Sequence, residues 1–117
     1  MKLIIVCGGR KFDDRALMAR VLDRVVEQKG DIFVIHGGAE GADKLAGEWA
    51  ASRGMPCAEV GALWDFFGNA AGPIRNGWML LLKPVGVVAF RGGSGPGTAN
   101  MCEQARKESI PVMEITA

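Results

Sequence analysis

Arg91-Gly92-Gly93-Ser94-Gly95-Pro96-Gly97-Thr98 joins an apolar, β-branched run to a helix-like segment, an order of residue types that can build an anion site. The run before it, Val85–Phe90, reads as a buried strand. The segment after it, Thr98 to Glu108, spaces Ala99, Cys102, Ala105 and Arg106 like one face of a helix. The first amides of a helix have no intrahelical partner, its dipole favours negative charge there, and glycines let backbone approach a phosphate closely. Thr98 can cap this helix or offer its hydroxyl to the same ligand. Gly92 to Gly97 keeps the G-x-x-x-x-G spacing of a P-loop, but Thr98 stands where the P-loop needs Lys, so an ATPase reading lacks its ammonium. Gly8-Gly9-Arg10 likewise does not complete the G-x-G-x-x-G of a dinucleotide fold. The plainer alternative is a turn whose glycines only meet positive-φ demands.

The chain that must position this turn has 117 residues, which suits one domain (residues 1–117) with a real core and is too short for two. Half of it is hydrophobic and its net charge is +1, so it is globular rather than disordered. Balanced charge argues against holding duplex nucleic acid mainly through its phosphates. Cys7, Cys57 and Cys102 lie far apart without a C-x-x-C, each in a predicted strand or helix. Buried thiols are therefore expected, rather than a zinc site or a disulfide framework. Lys2 followed by Leu3–Cys7 imitates a signal peptide, but the apolar run is too short and glycines end it. Nothing approaches a membrane span. A cytoplasmic location, no cofactor and no metal are the expectations that follow.

Along the chain, strands and helices alternate. Lys2–Cys7 is a first strand, buried on both faces. Asp13 and Asp14 offer N-caps to a helix running to Lys29, with Leu17, Val21, Leu22, Val25 and Val26 on one face. Asp31–His36 is a second strand, and Asp43 caps a helix through Arg53 with Leu45, Ala46, Trp49 and Ala50 inward. Pro56–Val60 makes a short third strand, and Gly61–Gly72 reads as a looser stretch carrying Trp64, Phe66 and Phe67. Pro73 fits the first turn of a helix over Pro73–Leu82, and Pro111–Ile115 is a fifth strand. Such alternation requires parallel pairing through right-handed crossovers, hence an α/β, Rossmann-like three-layer α/β/α sandwich on a five-stranded parallel sheet. The strand-to-helix loops Gly8–Asp14, Gly37–Asp43, Gly61–Asn76 and Arg91–Thr98 then open at one sheet edge, where ligands bind. Three of them contain a Gly-Gly pair, which core packing would not require.

These residues carry a resemblance that spans nearly the whole chain. Gly8–Asp13 (G-G-R-x-F-D), His36–Asp43 (H-G-G-A-x-G-A-D), Leu45–Ala50 (L-A-x-x-W-A), Trp64–Met79 (W-x-x-x-G-x-x-A-G-P-x-R-N-x-x-M) and the Gly-rich Gly92–Thr98 loop resemble the YspA-type, cpYpsA-related branch of the SLOG superfamily. Relatives include the LOG cytokinin-activating phosphoribohydrolases and the DNA-processing protein DprA. The resemblance implies a Rossmann-like fold and a pocket for nucleotides or nucleotide-derived ligands. LOG enzymes carry P-G-G-x-G-T-x-x-E, whose last glutamate acts in cleaving the N-glycosidic bond. Here Arg91 replaces the proline, the loop is two residues longer, and Met101 stands where that glutamate would be. Arg75-Asn76-x-x-Met79 resembles the LOG R-K-x-x-M, so phosphate and ribose binding can survive where the acid/base group is missing.

The ligand-binding set expected from these readings comprises Gly8, Gly9, Arg10, His36, Gly37, Gly38, Glu40, Asp43, Trp64, Arg75, Asn76, Gly92, Gly93, Ser94, Gly95, Gly97 and Thr98, with no catalytic residue named. Arg10 reaches a phosphate or is an exposed arginine. Arg75 offers its fork for bidentate phosphate contacts, and its loss should cost affinity with little fold stability. His36, the one histidine, is a pocket wall or a supporting donor rather than a base. Asp43 caps its helix and can accept from a ribose hydroxyl. Trp64 stacks on a base or lies under a loop as core, whereas Trp49 and Trp78 are core or subunit interface. The reading is a protein that senses or sequesters a nucleotide or an ADP-ribose-like ligand. A nucleotide-processing hydrolase using Glu40 or Asp43 is the alternative, and a DprA-like single-strand binder is disfavoured by the charge. The apolar end of the third long helix, Trp78 to Leu82, points to a homodimer or a higher homo-oligomer.

Overall fold

The computed structural model describes residues 1–116. Five parallel strands, β1 (Lys2–Gly8), β2 (Ile32–His36), β3 (Cys57–Glu59), β4 (Gly86–Phe90) and β5 (Val112–Ile115), lie in the order β3-β2-β1-β4-β5. The helices are α1 (Arg15–Lys29), α2 (Ala42–Arg53), the short α3 (Trp64–Phe67), α4 (Ala71–Leu81) and α5 (Pro96–Lys107), with a 3-10 turn at Gly68–Ala70. The expected α/β three-layer sandwich is the fold observed. Side chains alternate across each strand, so β1 sends Ile4 and Val6 to one face and Ile5 to the other. Ile4 and Val6 pack with Met18, Leu22 and Val25 of α1 and with Leu45, Ala46, Trp49 and Ala50 of α2. Ile5 meets Met79 and Leu80 of α4 and Met101 and Ala105 of α5.

Strand order reverses between β1 and β4, paired in register from Ile4↔Gly86 to Gly8↔Phe90. Beyond that register the chains diverge into separate loops, which opens a crevice at the carboxyl edge. α2, which borders it, is locked to α1 because Asp23 accepts from Trp49 Nε1 and from Arg53 Nε, both at 2.9 Å. The Arg53 guanidinium holds the Asp23 carboxyl below its usual range.

Several expectations are corrected. Asp14, and not Asp13, caps α1, accepting from Leu17 N–H at 2.9 Å. Asp43 does not cap α2: the cap position is Gly41, and Asp43 lies in the first turn. Gly61–Gly72 is not a loose stretch, since α3, the 3-10 turn and the start of α4 occupy all of it but Gly61–Leu63. α5 begins at Pro96, so Gly95 and not Thr98 is its N-cap. Its buried face is Thr98, Met101, Cys102 and Ala105, while Ala99 and Arg106 are exposed. Cys57 is exposed on the edge strand β3 rather than buried.

Candidate functional site

A cavity of about 690 Å³ occupies the switch-point crevice. The β1 loop supplies Gly8, Arg10 and Lys11, the β2 loop Gly37, Ala39 and Asp43, and the β4 loop Gly93, Gly95, Gly97 and Thr98. Trp64, Asn69, Gly72, Pro73, Arg75, Asn76 and Met79 close it from the side of α3 and α4, and Asn100 from α5.

The three glycine-rich loops differ in kind. Gly8 lies where a Cβ would come within 2.7 Å of Ala42 Cβ, and a Cβ on Gly9 would meet Gly93 O at 3.2 Å. Gly37 is covered by the Arg75 guanidinium, and Gly38 by the Glu59 carboxylate. These glycines let the loops pack closely on α2, on one another and on the Arg75 and Glu59 side chains. At Gly93, Gly95 and Gly97, by contrast, nothing among the described residues lies within 4 Å of the added carbon. That backbone faces the open cavity. The amides of Gly97 and Thr98, the first two in α5, have no backbone acceptor outside the helix among the described residues, because Pro96 and the helix start leave them free. Thr98 is buried with its side chain on the cavity wall.

Arg75 is the cross-tie. Its Nη1 donates to the carbonyls of Gly37 at 3.0 Å and Val60 at 3.2 Å, and its Nε donates to Asn76 Oδ1 at 3.1 Å. Three of the five N–H groups of the fork are thus taken by the protein, and Nη2 remains for a ligand, which narrows the bidentate expectation. Arg10, Lys11 and Arg75 form no ion pair among the described residues. Asp43 is the one carboxylate among the described lining residues. Its Oδ2 accepts from Gly37 N–H at 3.1 Å and Ala39 N–H at 3.2 Å, so it holds the β2 loop rather than its own helix. Burial pushes its carboxyl above the usual range, opposed by those two amides and by His36 and Arg75.

Other expected residues fall outside the cavity. His36 is buried on the opposite side of the β2 loop, its Nδ1 accepting from Gly38 N–H at 3.0 Å. It lines, with Gly38 and Glu40, a separate shallow depression of about 360 Å³. Among the described residues Glu40 pairs with Lys44 alone, at 3.9 Å. Gly9 is buried beneath the loops, and Gly92 is not among the lining residues. Ser94 turns its hydroxyl to Arg91 Nε at 3.1 Å. Met101, at the position of the LOG glutamate, is buried in the core under α4. Lys11, Asn69 and Asn100 were missed. Lys11 was signalled by its place beside Arg10, and Asn100 by its place beside Met101, whereas Asn69 carried no local sign.

Cys7 forms part of the cavity wall; the neighbouring Cys102 thiol and burial hold its thiol above the usual range, while Cys7 and the Arg91 guanidinium hold the Cys102 thiol below it. No group of three or more His, Cys, Asp or Glu side chains among the described residues could hold a metal. Among them, too, no helix is long and apolar enough to cross a membrane.

Residues 2–67 match the sequence model of the YspA, cpYpsA-related SLOG family. The Gene 61 protein of Mycobacterium phage D29 is 31% identical over 121 residues, covering 98% of this chain and 97% of the phage protein. Among solved structures, DNA processing protein A (DprA) from Streptococcus pneumoniae superposes on the whole chain with a TM-score of 0.75 at 20% identity. MurG of Acinetobacter baumannii superposes on 97% of it with a TM-score of 0.57 at 14% identity. The chain spans 51% of that DprA chain and 34% of that MurG chain, and both likenesses concern the fold.

Proposed function

The chain belongs to the YspA, cpYpsA-related SLOG family, and from that premise we propose that it binds a nucleotide or an ADP-ribose-like ligand as a single-domain cytoplasmic sensor or sequestering protein. The observation that carries this reading is the open backbone at Gly93, Gly95 and Gly97, with its free α5 amides, sharing one cavity with Arg10, Lys11 and Arg75, none of which forms an ion pair among the described residues. Phosphate would sit on the α5 amides, where the dipole and the cations act together. Trp64 is half exposed and rests its ring edge 3.2 Å from the site of a Gly72 Cβ, which leaves a face for a base. Binding rather than turnover is favoured because Met101 is in the core, Glu40 is remote, and Asp43 is engaged by two amides. A nucleotide at a hundred times its dissociation constant should add roughly 2.7 kcal/mol of stability and raise the melting temperature. Chromatography after incubation should return the ligand intact. Silence across a broad nucleotide panel would refute the binding reading, and a cleaved product would move it to the hydrolase alternative.

A homodimer through α4 belongs to the same proposal. Met79 and Leu80 turn inward, while Trp78, Leu81 and Leu82 are exposed and Phe67 stands 6.3 Å from Trp78, ring to ring. Phe66 continues the patch, at 81% exposure. A second copy covering this face would remove that apolar area from water and lie beside Arg75 and Asn76. Leu81→Glu should yield a monomer with weaker ligand binding. Light scattering that finds wild type monomeric at micromolar concentration would refute the dimer, and full affinity in a monomeric variant would refute a shared site.

A further inference from the structure

Three carboxamides lie between α4 and α5, and groups with a single hydrogen-bonding role fix the direction of all three. Arg75 Nε, which can only donate, is 3.1 Å from Asn76 Oδ1. Asn76 must therefore turn Nδ2 the other way, where it donates to Gly97 O and to Asn100 Oδ1, each at 3.2 Å. At the far end the Pro73 carbonyl can only accept, and Gln104 Nε2 donates to it at 2.9 Å and to Asn100 Oδ1 at 2.7 Å. Both neighbours thus offer N–H groups to Asn100, and both lone-pair directions of its oxygen are taken. Its Nδ2 has no acceptor among the described residues, and Asn100 lines the cavity. The protein has built an oriented, uncharged donor into the wall.

We propose that Asn100 determines the base specificity of this site, its Nδ2 donating to the keto oxygen of a 6-oxopurine nucleotide. The inference rests on the nucleotide reading and narrows it from any base to one kind. Charge for the phosphate is already supplied by Arg10, Lys11, Arg75 and the start of α5, so a neutral amide farther along α5 suits an uncharged acceptor. Gln104 ties Asn100 to Pro73, the residue after Gly72, and Gly72 is where the Trp64 indole rests. Trp64 and Asn100 line the same cavity, so a base stacked on the indole and an acceptor held by Asn100 would share one site. A lone donor matches the O6 acceptor of guanine or hypoxanthine, where adenine carries a 6-amino donor instead; N7, an acceptor in both, does not discriminate. Met101, turned into the core, leaves Asn100 as the residue that α5 presents at this level.

Calorimetry with GMP and AMP on wild type and Asn100→Asp tests this. Aspartate keeps an oxygen for Asn76 and Gln104 and replaces the free donor with an acceptor; its added negative charge weakens any phosphate ligand alike, so the readout is the ratio of GMP to AMP affinity. Wild type should hold GMP about tenfold or more tighter than AMP, and the variant should lose about tenfold or more of that preference. Equal loss for both nucleotides would leave that ratio unchanged and overturn the base assignment. Unchanged binding of both, or a wild-type preference for AMP, would overturn it outright. If the variant does not melt cooperatively, wild type is titrated with 2-aminopurine ribonucleoside monophosphate, which is GMP without the keto oxygen. Affinity about tenfold or more below that for GMP supports the inference, and equal affinity overturns it. Silence toward GMP with binding of another nucleotide overturns this inference alone, whereas silence toward every nucleotide overturns the binding reading with it.

Discussion

Gly41→Ala is expected to destabilise the fold by roughly 2–6 kcal/mol and to lower the melting temperature by on the order of 10 °C or more. Gly41 caps α2 at φ 81° and ψ −125°, a conformation that L side chains rarely adopt. A Cβ there would also point into the Gly9 carbonyl oxygen and lie 2.5 Å from the Arg10 carbonyl. Backbone strain and steric overlap each contribute roughly 1–3 kcal/mol. The contact to be forced apart is the one that docks α2 on the β1 loop, where Ala42 N–H donates to Gly9 O at 3.1 Å. Gly54→Ala is the control, because Gly54 has φ 67° but nothing within 4 Å of its Cβ position. It should cost only roughly 1–2 kcal/mol. Thermal and urea melts of both variants separate strain from collision. Equal losses in the two would mean that the loop yields without cost.

Arg75→Ala should lose both stability and ligand, against the expectation from sequence that the fold would hardly notice. Truncation leaves the Gly37 and Val60 carbonyls without their donor and frees Asn76, the anchor of the amide chain to Asn100. Hydrogen bonds to a charged group contribute roughly 1.5–3 kcal/mol, and a loss of that size in stability is expected. Phosphate affinity should fall about tenfold to a hundredfold, since the free Nη2 and the positions of two loops are lost together. Arg75→Lys separates the roles: an ammonium keeps the charge but cannot reach three acceptors in the fork's geometry. Partial affinity with unrestored stability is the expected outcome in melts and calorimetry. Recovery of both to the wild-type level would reduce Arg75 to a point charge.

The strands, their parallel pairing and the location of the cavity were legible because each rests on a local pattern with one global consequence. Buried parallel strands read as apolar runs, and alternation with helices forces every strand-to-helix loop to one edge. The inward face of α2 was equally plain, since Leu45, Ala46, Trp49 and Ala50 keep helical spacing and are all buried. What the linear order could not carry was the direction of side chains within the loops. Asp43 stands where a cap is common, yet its carboxylate turns back to the Gly37 and Ala39 amides because Gly41 takes the cap position. His36 and Glu40 sit within four residues of Gly37 but face the other side of the same loop. Six conspicuous glycines look alike in sequence: Gly8, Gly9 and Gly37 carry Ala42, Gly93 and Arg75 against them, while Gly93, Gly95 and Gly97 are open on their Cβ side among the described residues. The phase of α5 shifted by one residue once Pro96 began the helix, which put Met101 in the core and Asn100 on the cavity. Residue types and periods determined the scaffold and the edge that holds the site. Contacts between segments distant in sequence decided which atoms face the ligand, because a loop's dihedral angles follow from what it docks against.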